Sequence, residues 1–295
     1  MQITASMVKE LRQRTGAGMM DCKKALQEAD GEIEAAIEAM RKSGIAKAAK
    51  KAGRIAAEGI IAIKQNDDNT EAVLVEVNSE TDFVAKDENF LAFVDLVLSV
   101  TLANKPADIE TLNKLSVAGD TEQSVENARL QLVSKVGENI SLRRFERLKA
   151  EGENLGAYIH ASRIGVLVDL EGGGADLAKD IAMHIAASCP LCITEADVPT
   201  EVLQKETEIF IAQAEESGKP AGIIDKMVSG RIKKYLKEVT LLGQPFVKDP
   251  DQSIEGLLKA NKATVKRFVR FEVGEGIEKK QDNFVEEVMA QAKLQ

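Results

Sequence analysis

The chain has 295 residues, enough for two or three domains that each bury a core. Hydrophobic residues make up 44% and charged residues 29%, the balance of a globular protein, and no apolar run of about 18 residues predicts a membrane span. The net charge of -9 argues against a protein that mainly grips phosphate backbones, so the expectation is a protein surface, a small molecule or no partner at all, rather than nucleic acid.

The opening residues lack the charged-then-apolar pattern of a secretory signal, and Cys22, Cys189 and Cys192 are too few for a disulfide framework. Both features predict a reducing, cytoplasmic setting. Cys189-Pro190-Leu191-Cys192 has redox or zinc spacing. It follows a helical run instead of opening one, and His184 and distant Cys22 complete no convincing ligand set, so a chance pair at a helix end is preferred.

Residues 1–44 read as three short helices. Thr4 is placed to cap a first helix carrying Met7, Val8 and Leu11 and closing at Gly16. A second spans 19–29, and Asp30-Gly31 makes a turn from which Asp30 caps a third helix. That helix carries Ile33, Ala36, Ile37 and Met40 and is predicted to end at Gly44. The loop Thr15-Gly16-Ala17-Gly18 lacks the lysine and the preceding strand of a phosphate loop, so it reads as an interhelical turn. Met19 and Met20 cannot both face one small core. Either one is an exposed, adaptable apolar contact, or both are partly buried. The basic, alanine-rich window 45–57 reads as a solvated connector, because no aromatics interleave it as in a nucleic-acid patch.

From residue 58 a pattern occurs twice. The first copy has strands at 59–64 and 72–77, a helix beginning near Phe90, a second helix at 125–136 and a basic strand at 140–145. The second copy has strands at 155–160 and 165–170, helices at 175–188 and 254–260, and a basic strand at 265–271. Hairpin connections give antiparallel pairing, so the fold class is α+β: a duplicated antiparallel sheet with helices on one face. Between Cys192 and Val239 the second copy is interrupted by two helices, 202–217 and 223–237, turning at Gly218-Lys219-Pro220. They should zip together through Val202, Leu203, Ile209, Phe210, Ile224, Met227, Val228 and Ile232. Dimerisation through this hairpin is an alternative to self-packing. Residues 277–295 carry Phe284, Val285, Val288 and Met289 on one helical face.

No convergent acid, base or nucleophile set is apparent, so no catalytic residue, metal ligand or cofactor is expected. His160 falls in a strand and His184 in an apolar helix, where a lone histidine is usually structural. Gly172-Gly173-Gly174 joins a strand to a helix but follows Glu171, which would repel phosphate. The stretch Thr81-Asp82-Phe83-Val84-Ala85-Lys86 stands out instead, because it links a strand to a helix, where a scaffold can display side chains. Aligned with Gly174-Ala175-Asp176-Leu177-Ala178-Lys179 of the second copy, it shares Ala85 and Lys86 but has Asp82 and Phe83 to itself. One continuous helix would bury Phe83 with Phe90. A helix capped by Asp87 would begin later and leave Phe83 outside.

Three segments resemble the bacterial translation elongation factor Ts family: the run from Thr15 through Met19-Met20-Asp21-Cys22-Lys23-Lys24 to Leu26, the run Thr81-Asp82-Phe83-Val84-Ala85, and the run from Arg270 to Gly276. The resemblance implies a guanine-nucleotide exchange factor for the GTPase elongation factor Tu, with no cofactor of its own. It implies a UBA-like module with its basic linker (1–54), two core subdomains (55–148; 149–192 with 238–275), an inserted coiled-coil hairpin (193–237) and a C-terminal helical module (276–295). Partner contacts would come from Thr81, Asp82, Phe83 and Val84 at the magnesium site, from Arg12, Met19, Met20 and Lys23, and from Val136, Gly137 and His160. A homodimer or 2:2 complex through the hairpin is compatible with it. The rival readings are a helix-binding scaffold or chaperone-like module, and an enzyme using carboxylates or the CxxC.

Overall fold

The computed structural model describes residues 3–15, 17–117, 120–216, 218 and 220–278. The predicted C-terminal helix lies outside them from residue 279 onward. The chain forms two compact units. One takes in residues up to Ile60, Glu76–Arg144 and the segment from Val273, and the other takes in Ile61–Val75 and Phe145–Glu272.

In the first unit, α1 (Ala5–Thr15), α2 (Met19–Glu28) and α3 (Ile33–Ala49) close on Val8, Leu11, Cys22, Ala25, Leu26 and Ala36. Thr4 caps α1 as expected, its hydroxyl accepting from the Met7 amide at 3.3 Å. Two expectations fail here. Asp30 does not cap α3: it and Gly31 adopt left-handed backbone, and the Gly31 amide returns to the Leu26 carbonyl at 2.8 Å, so the pair closes α2. Nor does Gly44 end α3, which runs on to Ala49. A Cβ at Gly44 would stand 3.4 Å from Ser134 of a later helix, so this glycine serves close packing.

The connector is also not simply solvated. Ala48, Ala56 and Ala57 are buried, and Asn139 donates to the carbonyls of Ala52 (3.4 Å) and Arg54 (2.8 Å). The Lys51 ammonium donates to the Gly137 carbonyl. Small side chains let this segment lie down, and the donors its backbone then needs come from far along the chain.

Strands β1 (Glu58–Gln65) and β2 (Glu71–Ser79) lead to α4 (Glu88–Asn104), α5 (Ile109–Lys114), β3 (Ser116–Val117), β4 (Asp120–Ser124), α6 (Val125–Val136) and β5 (Ser141–Lys149). One sheet has the order β1-β2-β5. Every residue of β2 is buried, Glu76 among them. The Glu76 carboxylate accepts from Arg143 (2.9 Å), Arg144 (2.6 Å), Asn78 (3.1 Å) and the Gly274 amide (2.8 Å). Burial pushes its pKa up, but the hydrogen bonds outweigh burial and hold it below the ordinary carboxylate value. This group pins the chain where it re-enters the first unit, within the Arg270–Gly276 motif.

The second unit contains β6 (Asn154–His160), β7 (Ile164–Glu171), α7 (Gly174–Ser188), α8 (Thr200–Glu215), α9 (Ala221–Val239), β8 (Pro245–Phe246), β9 (Asp249–Ser253), α10 (Ile254–Ala260) and β10 (Thr264–Glu272). Its sheet, β10-β7-β6, is antiparallel throughout. Helix α7 lies so close to β6 that a Cβ on Gly156 would fall 2.3 Å from the Ala178 carbonyl. Both sheets thus order their strands first-second-third along the chain. A short paired hairpin precedes both α6 and α10, β3 with β4 and β8 with β9, and a serine, Ser124 or Ser253, caps the helix that follows. These two-residue and five-residue strands are too short to leave a periodic signal.

His184 is buried in this unit as a structural group. It lies 2.9 Å from Gln244 Oε1, and its Nδ1 accepts from the Val247 amide at 3.3 Å. In the projecting pair, α8 and α9 meet through Ala214, Val228 and an edge-on contact between Phe210 and Tyr235. Ile209, expected in that seam, is exposed instead, as are Ile211 and Ile223.

Candidate partner-contact site

The segment leaving β2 decides the position of Phe83. Asp87 accepts from the amides of Asn89 (2.8 Å) and Phe90 (3.3 Å), so α4 starts at Glu88. Hydrogen bonds from the Asn89 side chain and from both amides hold the Asp87 carboxyl below its usual range, despite some desolvation. Before that cap the chain makes a single 3-10 turn, Val84–Lys86, with Ala85 as its buried foot. The two phenylalanines therefore separate. Phe90 is fully buried, whereas Phe83 is 81% exposed.

The turn is held from outside as well. The Glu138 carboxylate accepts from the Thr81 amide (3.0 Å) and from the Thr81 hydroxyl (2.7 Å), and that hydroxyl in turn accepts from the Val84 amide (3.4 Å). Reciprocally, Glu80 accepts from the Asn139 amide at 2.6 Å. Asp82 is exposed and paired with Lys86 at 2.8 Å, a surface pair that contributes little to stability. A rigid phenyl and a carboxylate are thus presented to solvent.

Val136 closes α6 and Gly137 is its left-handed C-cap. With Glu138 gripping Thr81, the structure brings Val136-Gly137 beside Thr81-Asp82-Phe83-Val84 in one unit. Arg12, Met19, Met20 and Lys23 are all exposed on the helical bundle, the methionines to 60% and 75%. Both methionines, rather than one, are therefore available as soft contacts. His160 belongs to the other unit, at the end of β6, exposed and 3.2 Å from the Tyr158 hydroxyl. Cys189 is the left-handed C-cap of α7, and the Cys192 thiol donates to the Thr194 carbonyl at 3.3 Å; desolvation and nearby Asp197 push its pKa up. Cys22 is packed inside the bundle. Among the described residues no group of three or more His, Cys, Asp or Glu is placed to hold a metal ion, and no helix is long and apolar enough to cross a membrane.

Sequence reasoning missed Glu80, Glu138 and Asn139, whose links to one another, to Thr81 and to Ala52 span 57 to 87 positions. The one local hint was a hydroxyl, on Thr81, at a strand exit.

Taken together, these residues define an α+β protein that carries, on a braced strand-to-helix turn, the most exposed aromatic among the described residues. The family model described as elongation factor TS matches residues 80–275. Over 294 residues the chain is 65% identical to the elongation factor Ts of Thioalkalivibrio sulfidiphilus, covering 99% of each chain. Identity is 59% over 293 residues to that of Alkalilimnicola ehrlichii and 58% over 295 residues to that of Methylococcus capsulatus, again with 99% of each chain covered. The chain belongs to the elongation factor Ts family.

Proposed function

We propose that this protein is a guanine-nucleotide exchange factor of translation elongation, acting in the cytoplasm on the GTPase elongation factor Tu. The observation that carries this reading, beside family membership, is the exposed Phe83 on a turn whose backbone is fixed at Thr81 and Asp87. A rigid aromatic costs little entropy to insert, which suits a wedge. Phe83 enters the partner's GTPase domain near its magnesium ion, with Thr81 and Val84 flanking it. Asp82 leaves Lys86 to compete electrostatically near the phosphate loop. Displacing the groups that hold the ion loosens the clamp on the GDP phosphates.

Arg12, Met19, Met20 and Lys23 grip a neighbouring helix of that domain, the bundle serving as a UBA-like module. Val136 and Gly137 extend the Phe83 contact. His160 contacts the partner from the second copy of a duplicated core, and the C-terminal helical module (276–295) reinforces the GTPase-domain contact. In this layout residues 1–54 form the helical module and 55–148 the first core subdomain. Residues 149–192 with 238–275 form the second subdomain, and the hairpin 193–237 is the place for a homodimer or 2:2 complex. No covalent step, cofactor, direct nucleic-acid contact or membrane is involved.

Coupling is reciprocal: a factor that weakens GDP binding is itself weakened by GDP to the same extent. The test is release of fluorescent GDP from elongation factor Tu. Saturable acceleration by the wild-type chain, sharply reduced in Phe83→Ala, is expected. An unchanged release rate would overturn the reading.

A further inference from the structure

We propose that Glu138 is a positioning residue for exchange: it sets the orientation of Phe83 without touching the partner's nucleotide site. This rests on the reading of Phe83 just given and extends it to a residue outside the displayed turn. The loop Gly137-Glu138-Asn139 makes four separate attachments. The Gly137 carbonyl accepts from Lys51, and the Glu138 carboxylate accepts twice from Thr81. The Asn139 amide donates to Glu80, and its side chain donates to the carbonyls of Ala52 and Arg54. Three chain segments, 51–54, 80–81 and 137–139, are therefore tied at one point, two residues before Phe83.

Only one of these links reaches the turn's internal hydrogen bonding. The Thr81 hydroxyl gives its proton to Glu138 and receives the Val84 amide, so the carboxylate fixes which way the hydroxyl points. The Thr81 carbonyl meanwhile accepts from the Ser79 hydroxyl (2.8 Å) and the Ala85 amide (3.4 Å). Without Glu138, the Thr81 amide and hydroxyl lose their anionic acceptor. The 3-10 turn then keeps its covalent course but not its single orientation. A wedge that samples several orientations still binds, yet reaches the productive one less often. The loss should fall on the maximal rate more than on half-saturation.

The experiment measures stimulated GDP release against factor concentration for wild type, Glu138→Ala, Glu138→Gln, Thr81→Val, Phe83→Ala and Glu138→Ala/Phe83→Ala, with far-UV circular dichroism melts of each. Glu138→Ala should lower the maximal rate by about ten- to a hundredfold, with half-saturation changed by less than about threefold. Glu138→Gln, which keeps one acceptor, and Thr81→Val, which removes only the hydroxyl, should fall between it and wild type. In the Phe83→Ala background, Glu138→Ala should have no further effect, because its influence passes through the missing ring. Losses that multiply in the double variant, or an effect on half-saturation alone, would overturn the proposal. Should Glu138→Ala melt below the assay temperature, Thr81→Val decides: a wild-type maximal rate in that variant overturns it. If Phe83→Ala exchanges like wild type, the reading of Phe83 has failed; if it is impaired while Glu138→Ala is not, only the positioning role has failed.

Discussion

Replacing Phe83 by alanine and, separately, Phe90 by alanine tests the central claim that two phenylalanines seven positions apart have opposite duties. With 81% of its surface exposed, Phe83 has about a fifth of roughly 200 Å² covered, or about 40 Å². At ~25 cal/mol per Å² this corresponds to about 1 kcal/mol, an upper figure for Phe83→Ala because unfolded chains also bury some surface. Phe90 is fully buried on the inner face of α4, and its truncation should cost about 3–5 kcal/mol. The chain has no tryptophan, so urea unfolding is followed by circular dichroism at 222 nm, and nucleotide release is measured on the same preparations. Phe83→Ala should keep near-wild-type stability while losing most of its stimulation of release. A stability loss for Phe83→Ala matching that of Phe90→Ala would mean that the ring belongs to the core, and the exposed-turn account would be abandoned.

Two of the buried titrating groups, Glu76 and His184, give pH signatures of their own. Glu76 has a lowered folded pKa, so its contribution is complete above the ordinary carboxylate value of 4.5 and is lost as pH falls through the folded value. Glu76→Gln should destabilise by about 3–5 kcal/mol at neutral pH, because Arg143 and Arg144 lose their anion, and should flatten the acid limb of a stability-against-pH curve. Burial lowers the pKa of His184 despite its hydrogen bond with Gln244, so the unfolded chain takes up a proton more readily than the folded one. Stability should decline as pH drops below 6.5, and His184→Phe should remove that component of the slope in melts between pH 5 and 7.5. Ser124→Ala and Ser253→Ala should each cost about 1 kcal/mol in urea unfolding, since each serine accepts an amide at the start of its helix.

Period and punctuation made the larger elements legible. α6 and α10 begin and end where their apolar spacing and flanking residues indicate, and Asp87 told in favour of a late start for α4, which is what separates Phe83 from Phe90. Legibility failed where the deciding partner is remote. Gly44 looks like a stop until Ser134 is packed against it, and residues 45–57 look like a tether until Asn139 supplies donors to their carbonyls. Ile209 fits a helical seam by spacing, but a two-helix pair has only one seam, and α8 carries more apolar residues than it can hold. For the site the same division holds. The displayed residues were visible because the comparable stretch Gly174–Lys179 lacks them, whereas Glu138 is an ordinary loop carboxylate until the fold brings Thr81 to it.

The stem of the projecting pair carries a lesson about tolerance to change. The outgoing and returning strands are stitched side by side: the Leu191 amide to the Val239 carbonyl, a bridge between Cys192 and Thr240, and the amides of Leu241 and Leu242 to the carbonyls of Cys192 and Ile193. Those bonds close the excursion at its root. Closing a loop grows more costly only with the logarithm of its length, by about 0.6 kcal/mol per doubling. The sheet below is therefore almost blind to how long the excursion is. A lineage can lengthen, trim or re-face α8 and α9, or a protein engineer can exchange them as a cassette, while the stitched root keeps the remaining chain in register.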